Sequence, residues 1–203
     1  MASILVVCTG NVCRSPIAAG FLASGLERRF GSAAPRVVSA GTHGWDGSGA
    51  MPESVRAAAE REVDISGHLA RKLTIADIEG ADLILGMAGE HREAVVAAEP
   101  GAAARTFTLK ELVRLLEALP PASGRGTIDR DALRDRLAAA DEASREGFEG
   151  NPHDEDVADP LGMPEASFRA VAWDLDEWCT RLIDSLAGRA PARASIWDEE
   201  ESS

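Results

Sequence analysis

The chain has 203 residues, 45% of them hydrophobic, and a formal net charge of −13: enough for one domain with a sizeable core, and too acidic for a nucleic-acid partner, whose phosphates it would repel. The charge is lopsided, with 20 acidic and 9 basic side chains in residues 120–203 against 14 and 12 in residues 1–119. Three cysteines, an odd number, make no disulfide framework, and no apolar run is long enough to span a bilayer, so the expectation is a cytoplasmic protein with no membrane partner.

The first predicted element is a buried parallel strand, the apolar run Ile4–Val7, followed by a loop of small residues from Cys8 to Arg14 and a helix that Ser15-Pro16 opens. Amide N–H groups of such a loop converge with the free N–H groups of the helix start and form an anion cradle. Arg14 adds a planar fork that can hold two oxygens of a tetrahedral oxyanion, which the point charge of a lysine cannot imitate. At the floor of that cradle, the thiolate form of Cys8 is favoured by the helix start, the amides and Arg14 together. Cys-x5-Arg-Ser therefore predicts attack on a bound phosphoryl group and a phosphocysteine intermediate. Ser15 would donate its hydroxyl to Cys8 as sulfur leaves, and Pro16 suits a first turn that needs no N–H. A packed strand-end cysteine beside a surface arginine has the same bare spacing, but lacks the strand before it and the Pro-started helix after it.

Beyond the loop, Ile17, Phe21, Leu22, Leu26 and Phe30 recur at helical spacing, and Gly31 closes the helix. Pro35–Ala40 reads as the second strand, and Gly41–Gly49 as a glycine-rich loop holding Thr42, His43 and Trp45. Pro52 starts a helix to about Glu62, a turn spans Asp64–Gly67, and His68 follows. Thr74 caps a short helix over Ile75–Glu79, Ala81–Met87 is an apolar strand of the kind buried on both faces, and Gly89–Ala98 is a helix bearing His91 and ended by Pro100. Arg105–Leu109 supplies a fourth strand, and Lys110–Leu119 an amphipathic helix with Leu112, Val113, Leu115, Leu116 and Leu119 turned inward. Strands alternating with helices predict a single α/β domain: a four-stranded parallel sheet flanked by helices, with the phosphate-binding loop after strand 1.

Pro120-Pro121 breaks the pattern. Residues 120–128 read as a linker, 129–146 as a charged helix with a thin apolar seam at Leu133, Leu137 and Ala140, and 147–158 as a mobile polar stretch. Together they form an acidic insertion at about 120–156 in a domain of residues 1–187, open to two readings: a lid or docking arm, or a tolerated surface loop. Asp159-Pro160 follows. A carboxylic acid beside the phosphate protonates the departing oxygen and later takes a proton from water; Asp154, Glu155 and Asp156 are nearby rivals. Glu165–Leu186 is the closing helix, with Phe168, Val171, Leu175, Trp178, Cys179, Leu182 and Leu186 on its apolar face, and 188–203 is an acidic, disordered tail.

The stretch Cys8-Thr9-Gly10-Asn11-Val12-Cys13-Arg14-Ser15-Pro16 resembles the phosphate loop of the low-molecular-weight protein tyrosine phosphatases, and SAGTHGW (39–45), DISGHLARKLT (64–74), ADLILGM (81–87) and VADP (157–160) appear in that family's order. The resemblance covers residues 3 to about 119 and about 155 to 186. It implies a phosphate-monoester hydrolase acting on protein phosphotyrosine, with inorganic phosphate or another oxyanion as product or inhibitor, and with no metal or cofactor; Cys-x4-Cys and four scattered histidines match no zinc spacing. It implies Cys8 as nucleophile, Arg14 as holder of the phosphoryl group, and Asp159 as acid then base. Thr9, Gly10, Asn11, Val12, Cys13 and Ser15 would line the phosphate, and Trp45 would be the wall on which a substrate ring stacks. His68 would brace the loop through Asn11, whose short side chain tolerates a left-handed backbone. Cys13 either fills space or forms a reversible disulfide that shields Cys8 from overoxidation, and the resemblance favours the second. The chain departs from the family at Leu161-Gly162, where an aromatic residue often follows Asp-Pro, and it has no tyrosine, so monoester hydrolysis is carried further than phosphotyrosine. Two alternatives remain. An arsenate reductase-like oxyanion enzyme would need a relay thiol that only Cys179 could supply, and a non-catalytic phosphate-binding regulatory protein would not need the intact Cys8, Arg14 and Asp159.

Overall fold

In the computed structural model, which describes residues 1–121, 128–147 and 155–188, four short parallel strands form one sheet in the order β2-β1-β3-β4: β1 Ser3–Cys8, β2 Arg36–Gly41, β3 Leu83–Gly86 and β4 Thr106–Thr108. Alternation along the strands feeds two cores. Ile4, Val6, Cys8, Leu83 and Leu85 point to one, Leu5, Val7 and Ile84 to the other, which is why these runs are apolar without a polar face. The larger core takes in α1 (Arg14–Phe30), α2 (Pro52–Ala59), α5 (Leu109–Ala118), α6 (Arg130–Arg145) and α7 (Glu165–Leu186), while α3 (Ile75–Gly80) and α4 (Gly89–Ala98) cover the other face. The chain leaves central β1 for β2 on one side and then crosses to β3 on the other. Cys8 thus ends its strand at the switch in strand order, where open α/β sheets leave a crevice.

Boundaries differ from the sequence expectation for local reasons. Helix α2 stops at Ala59 rather than near Glu62, because Glu62 turns left-handed at φ 62° and Val63 N–H returns to Ala58 O at 3.1 Å. Strand β4 stops at Thr108 because Thr108 caps α5: its Oγ1 accepts Glu111 N–H at 3.2 Å while the Glu111 carboxylate accepts Thr108 N–H at 3.1 Å. Strand β3 is shorter than the apolar run, since Ala81 is spent capping α3 and Asp82 is tied to Ser3.

The charged helix of the insertion forms as expected, and its apolar seam packs into the domain core. Leu133, Leu137 and Ala140 of α6 are exposed by 1%, 2% and 0% and belong to the same core as α5 and α7. Arg136 ties α6 to the end of α5 through Pro120 O at 2.7 Å and Leu116 O at 3.3 Å, and Arg130 pairs with Asp82 at 2.9 Å. Most of the expected linker, most of the polar stretch before Asp159, and the tail beyond residue 188 lie outside the described residues. The end of that polar stretch is not loose: Val157 N–H donates to Met87 O at 2.7 Å. Leu137→Ala is expected to lower unfolding free energy by about 2–4 kcal/mol, read by urea denaturation. The exposed Arg134→Ala should stay within about 0.5 kcal/mol. Equal, small effects of both would mean that α6 is an appended arm.

Candidate active site

The loop between β1 and α1 is built by turning its carbonyls outward. Thr42 N–H donates to Cys8 O at 2.9 Å, His43 N–H to Thr9 O at 2.9 Å, Trp45 N–H to Gly10 O at 3.1 Å, Met51 N–H to Val12 O at 2.9 Å and Ile17 N–H to Cys13 O at 3.3 Å. His68 Nε2 donates to Asn11 O at 2.8 Å. Peptides with carbonyls outside carry their N–H groups inside, which makes an anion nest around Cys8. Asn11 is its keystone. Left-handed at φ 59° and fully buried, it donates through Nδ2 to Ser15 Oγ and Ser39 Oγ, both at 2.9 Å, and accepts Arg71 N–H on Oδ1 at 3.0 Å. Because Ser15 Oγ accepts from Asn11, its own hydrogen is left for Cys8 Sγ, 2.9 Å away. Asn11 N–H reaches the same sulfur at 3.3 Å. The end of β2 lies so close beneath that a Cβ on Gly41 would stand 2.6 Å from Thr9 O and 3.0 Å from Asn11 N, a place only glycine fits.

Arg14, at the first position of α1, is buried beside the nest. Its Nη1 donates to Val157 O at 3.3 Å, and its Nη2 to Asp159 Oδ2 at 2.6 Å and to Thr9 Oγ1 at 3.4 Å. The segment bearing Asp159 is fastened on its way in. Asp156 Oδ1 accepts Gly89 N–H at 2.8 Å at the start of α4, Glu155 lies 3.6 Å from Arg114, and Asp159 Oδ1 accepts Leu161 N–H at 3.1 Å. The rivals Glu155 and Asp156 therefore have other partners, Asp154 lies outside the described residues, and Asp159 reaches Arg14. The Glu155 carboxyl is pushed up by burial and then by the neighbouring Glu111 carboxylate.

Other expected residues gather here too. Burial lowers the His68 pKa, against the pull of its bond to Asn11 O. An acceptor-only carbonyl requires the proton on Nε2, which suits a neutral brace. Trp45 stands against the loop, 3.6 Å from where a Gly10 Cβ would be, yet keeps 47% of its surface exposed. It can therefore offer a ring face to a ligand. Cys13 and Cys8 are both free thiols. Burial foremost pushes the Cys13 thiol up to about 11, and the nearby Asp159 and Cys8 add to it against the opposing charge of Arg14. Sequence reasoning missed Ser39, the Asp156 anchor, and the contact of His91 with Thr9, which have no local signature. Among the described residues, no three His, Cys, Asp or Glu side chains are grouped to hold a metal, and no helix is long and apolar enough to cross a membrane.

A model of the low molecular weight phosphotyrosine protein phosphatase family matches residues 3–119. The chain belongs to that family. The low molecular weight protein-tyrosine-phosphatase Etp of Escherichia coli K12 is 41% identical over 105 residues, 52% of this chain and 67% of Etp. The protein-arginine-phosphatase of Geobacillus stearothermophilus is 29% identical over 187 residues, 90% of this chain and 95% of the relative. Among solved structures, a cysteine-to-serine mutant of the arginine phosphatase YwlE with a phosphorylated active site serine superposes with a TM-score of 0.67 at 27% identity, covering 91% of this chain and 95% of that one. As a low molecular weight phosphatase the chain is a hydrolase whose matched part supplies the loop, Trp45 and His68, while Asp159 arrives from beyond it.

Proposed function

We propose that the chain dephosphorylates protein phosphotyrosine through a phosphocysteine on Cys8. The observation that carries this is the surround of Cys8 Sγ: donors from Ser15 at 2.9 Å and Asn11 at 3.3 Å stabilise a sulfur anion on the floor of an anion nest. The inward amides and Arg14 hold the phosphoryl oxygens. Sulfur attacks phosphorus, the ester bond breaks, and the departing phenolic oxygen takes a proton from the Asp159 carboxyl. Water then attacks phosphorus, Asp159 takes its proton, the sulfur–phosphorus bond breaks, and the Ser15 hydroxyl receives the leaving thiolate as phosphate departs. The phosphorylated active site serine of the YwlE mutant supports a covalent route in a relative. Trp45 offers one ring-binding wall, and half-exposed Leu161, two residues past Asp159, an aliphatic surface. A free nucleophilic thiol suits a reducing compartment, the cytoplasm.

A second reading is favoured by the Geobacillus arginine phosphatase, which aligns with 90% of this chain: phosphoarginine as the substrate of the same machinery. Arsenate reduction finds no support, since the Cys179 thiol is fully buried, pushed up by that burial, and turned to Ala18 O at 3.7 Å. Phosphate release from matched phosphotyrosine, phosphoarginine and phosphoserine peptides tests the proposal. The expected kcat/KM for phosphotyrosine exceeds both others by about 10² or more, the scale at which a site shaped for a ring discriminates. Preference for phosphoarginine would replace the substrate and keep the machinery, and preference for phosphoserine would remove the ring-binding role of Trp45.

A further inference from the structure

We propose that His91 and the Thr9 hydroxyl form a positioning pair for Arg14, with the imidazole donating from Nε2 and the Thr9 hydrogen left free for an oxygen held in the phosphate cradle. This rests on the reading that Arg14 holds the phosphoryl group. His91, 1% exposed, comes from the first turn of α4. The turn is pressed onto the end of β3: a Cβ on Gly86 would lie 3.0 Å from Ala88 O and 3.3 Å from His91 Cβ. That closeness brings the ring to the loop, where Nε2 lies 3.0 Å from Thr9 Oγ1 and 3.4 Å from a Glu90 carboxylate oxygen.

The other ring nitrogen decides the tautomer. Nδ1 is buried with no hydrogen-bond partner, and a buried N–H without an acceptor is costly. The hydrogen therefore belongs on Nε2, which faces oxygen atoms. Thr9 Oγ1 then receives two N–H groups, from His91 and from Arg14 Nη2 at 3.4 Å. With both lone pairs engaged, its own hydrogen is available to a third partner. The place beside Arg14 Nη2 is where a phosphoryl oxygen would sit. Burial first, then the Arg14 charge, holds the His91 pKa below the ordinary histidine value, against the pull of Glu90, Asp156 and Asp159. The ring thus acts as a neutral donor and adds no charge of its own to the loop.

The test is steady-state hydrolysis of an aryl phosphate, with inhibition by inorganic phosphate, for the parent, His91→Leu, His91→Gln, Thr9→Val and the His91→Leu/Thr9→Val double variant. His91→Leu is expected to raise KM and the phosphate inhibition constant about tenfold, the scale of one lost hydrogen bond, with a smaller change in kcat. His91→Gln, whose amide nitrogen reaches the place of Nε2, should recover most of the loss. Thr9→Val should lose at least as much as His91→Leu, and the double variant no more than Thr9→Val, because His91 acts only through the Thr9 hydroxyl. A parent-like KM in folded His91→Leu, no recovery by His91→Gln, or full additivity in the double variant each overturns the pair. Should His91→Leu fail to fold, Thr9→Val must still show the loss, and a parent-like Thr9→Val overturns the pair. Turnover surviving Cys8→Ser would overturn the underlying reaction instead, an outcome separate from all of these.

Discussion

Cys8→Ser is expected to reduce aryl phosphate turnover by about 10⁴-fold or more, the scale of losing an enzyme's nucleophile, while the protein stays folded. Serine oxygen fits the space of sulfur but not its surroundings. The groups that reach Cys8 Sγ are the Ser15 hydroxyl, already accepting from Asn11, and the Asn11 N–H. Both donate. They can stabilise an anion, which a thiol forms far more readily than a hydroxyl, but neither is a base strong enough to remove a proton from a serine hydroxyl. The cradle itself, made of outward-tied carbonyls and Arg14, does not depend on sulfur. Initial rates together with the inorganic phosphate inhibition constant check both halves: turnover lost, phosphate affinity within a few-fold of the parent. Variant turnover within tenfold of the parent would place the nucleophile elsewhere.

What the sequence made legible is the part of the site that is local in the chain. Cys8, Asn11, Arg14 and Ser15 lie within one loop and one helical turn, so their types and spacing survive as a readable string. Asp159 stands 145 positions from Arg14, and only the resemblance and the Asp-Pro pair pointed to it. His91 and Thr9 are 82 positions apart, and Asp156 and Gly89 67. A polar contact across such distances leaves no periodicity, so a buried histidine under the loop reads the same as one on a helix surface. The insertion shows the same limit in its apolar part. The seam of Leu133, Leu137 and Ala140 was visible at helical spacing, but three apolar residues serve a detached helix as well as a docked one. Their burial in the α5–α7 core depends on the whole fold. The two-sided burial of β1 and β3 was implied by unbroken apolar runs and the parallel sheet by strands alternating with helices, whereas the order β2-β1-β3-β4 had no sequence signal. The strand ends were not implied either, because Ala81 and Thr108 are spent on helix caps.

Asp159→Asn is the second large effect, and its two readouts should move in opposite directions. Without a carboxyl to protonate the departing oxygen, kcat is expected to fall by about 10²–10⁴-fold. Inhibition by inorganic phosphate should instead tighten. In the free enzyme Asp159 Oδ2 sits 2.6 Å from Arg14 Nη2, on one arm of the fork that must hold phosphoryl oxygens. An incoming dianion therefore has to displace a like charge from the cation it needs. Arg14 is buried, but the Asp159 side chain is 44% exposed, so solvent screens much of the attraction, and replacing the carboxylate with a neutral amide is expected to tighten phosphate binding by only about three- to tenfold. In the proposed mechanism the same exchange would give the carboxyl its role: phosphate occupying the arginine fork would release Asp159 from the ion pair beside the leaving group, where it would carry a proton. Loss of turnover with weakened phosphate binding would show that the Arg14–Asp159 pair holds the loop in shape rather than competing with the ligand. Unchanged turnover would assign the proton transfer to another group.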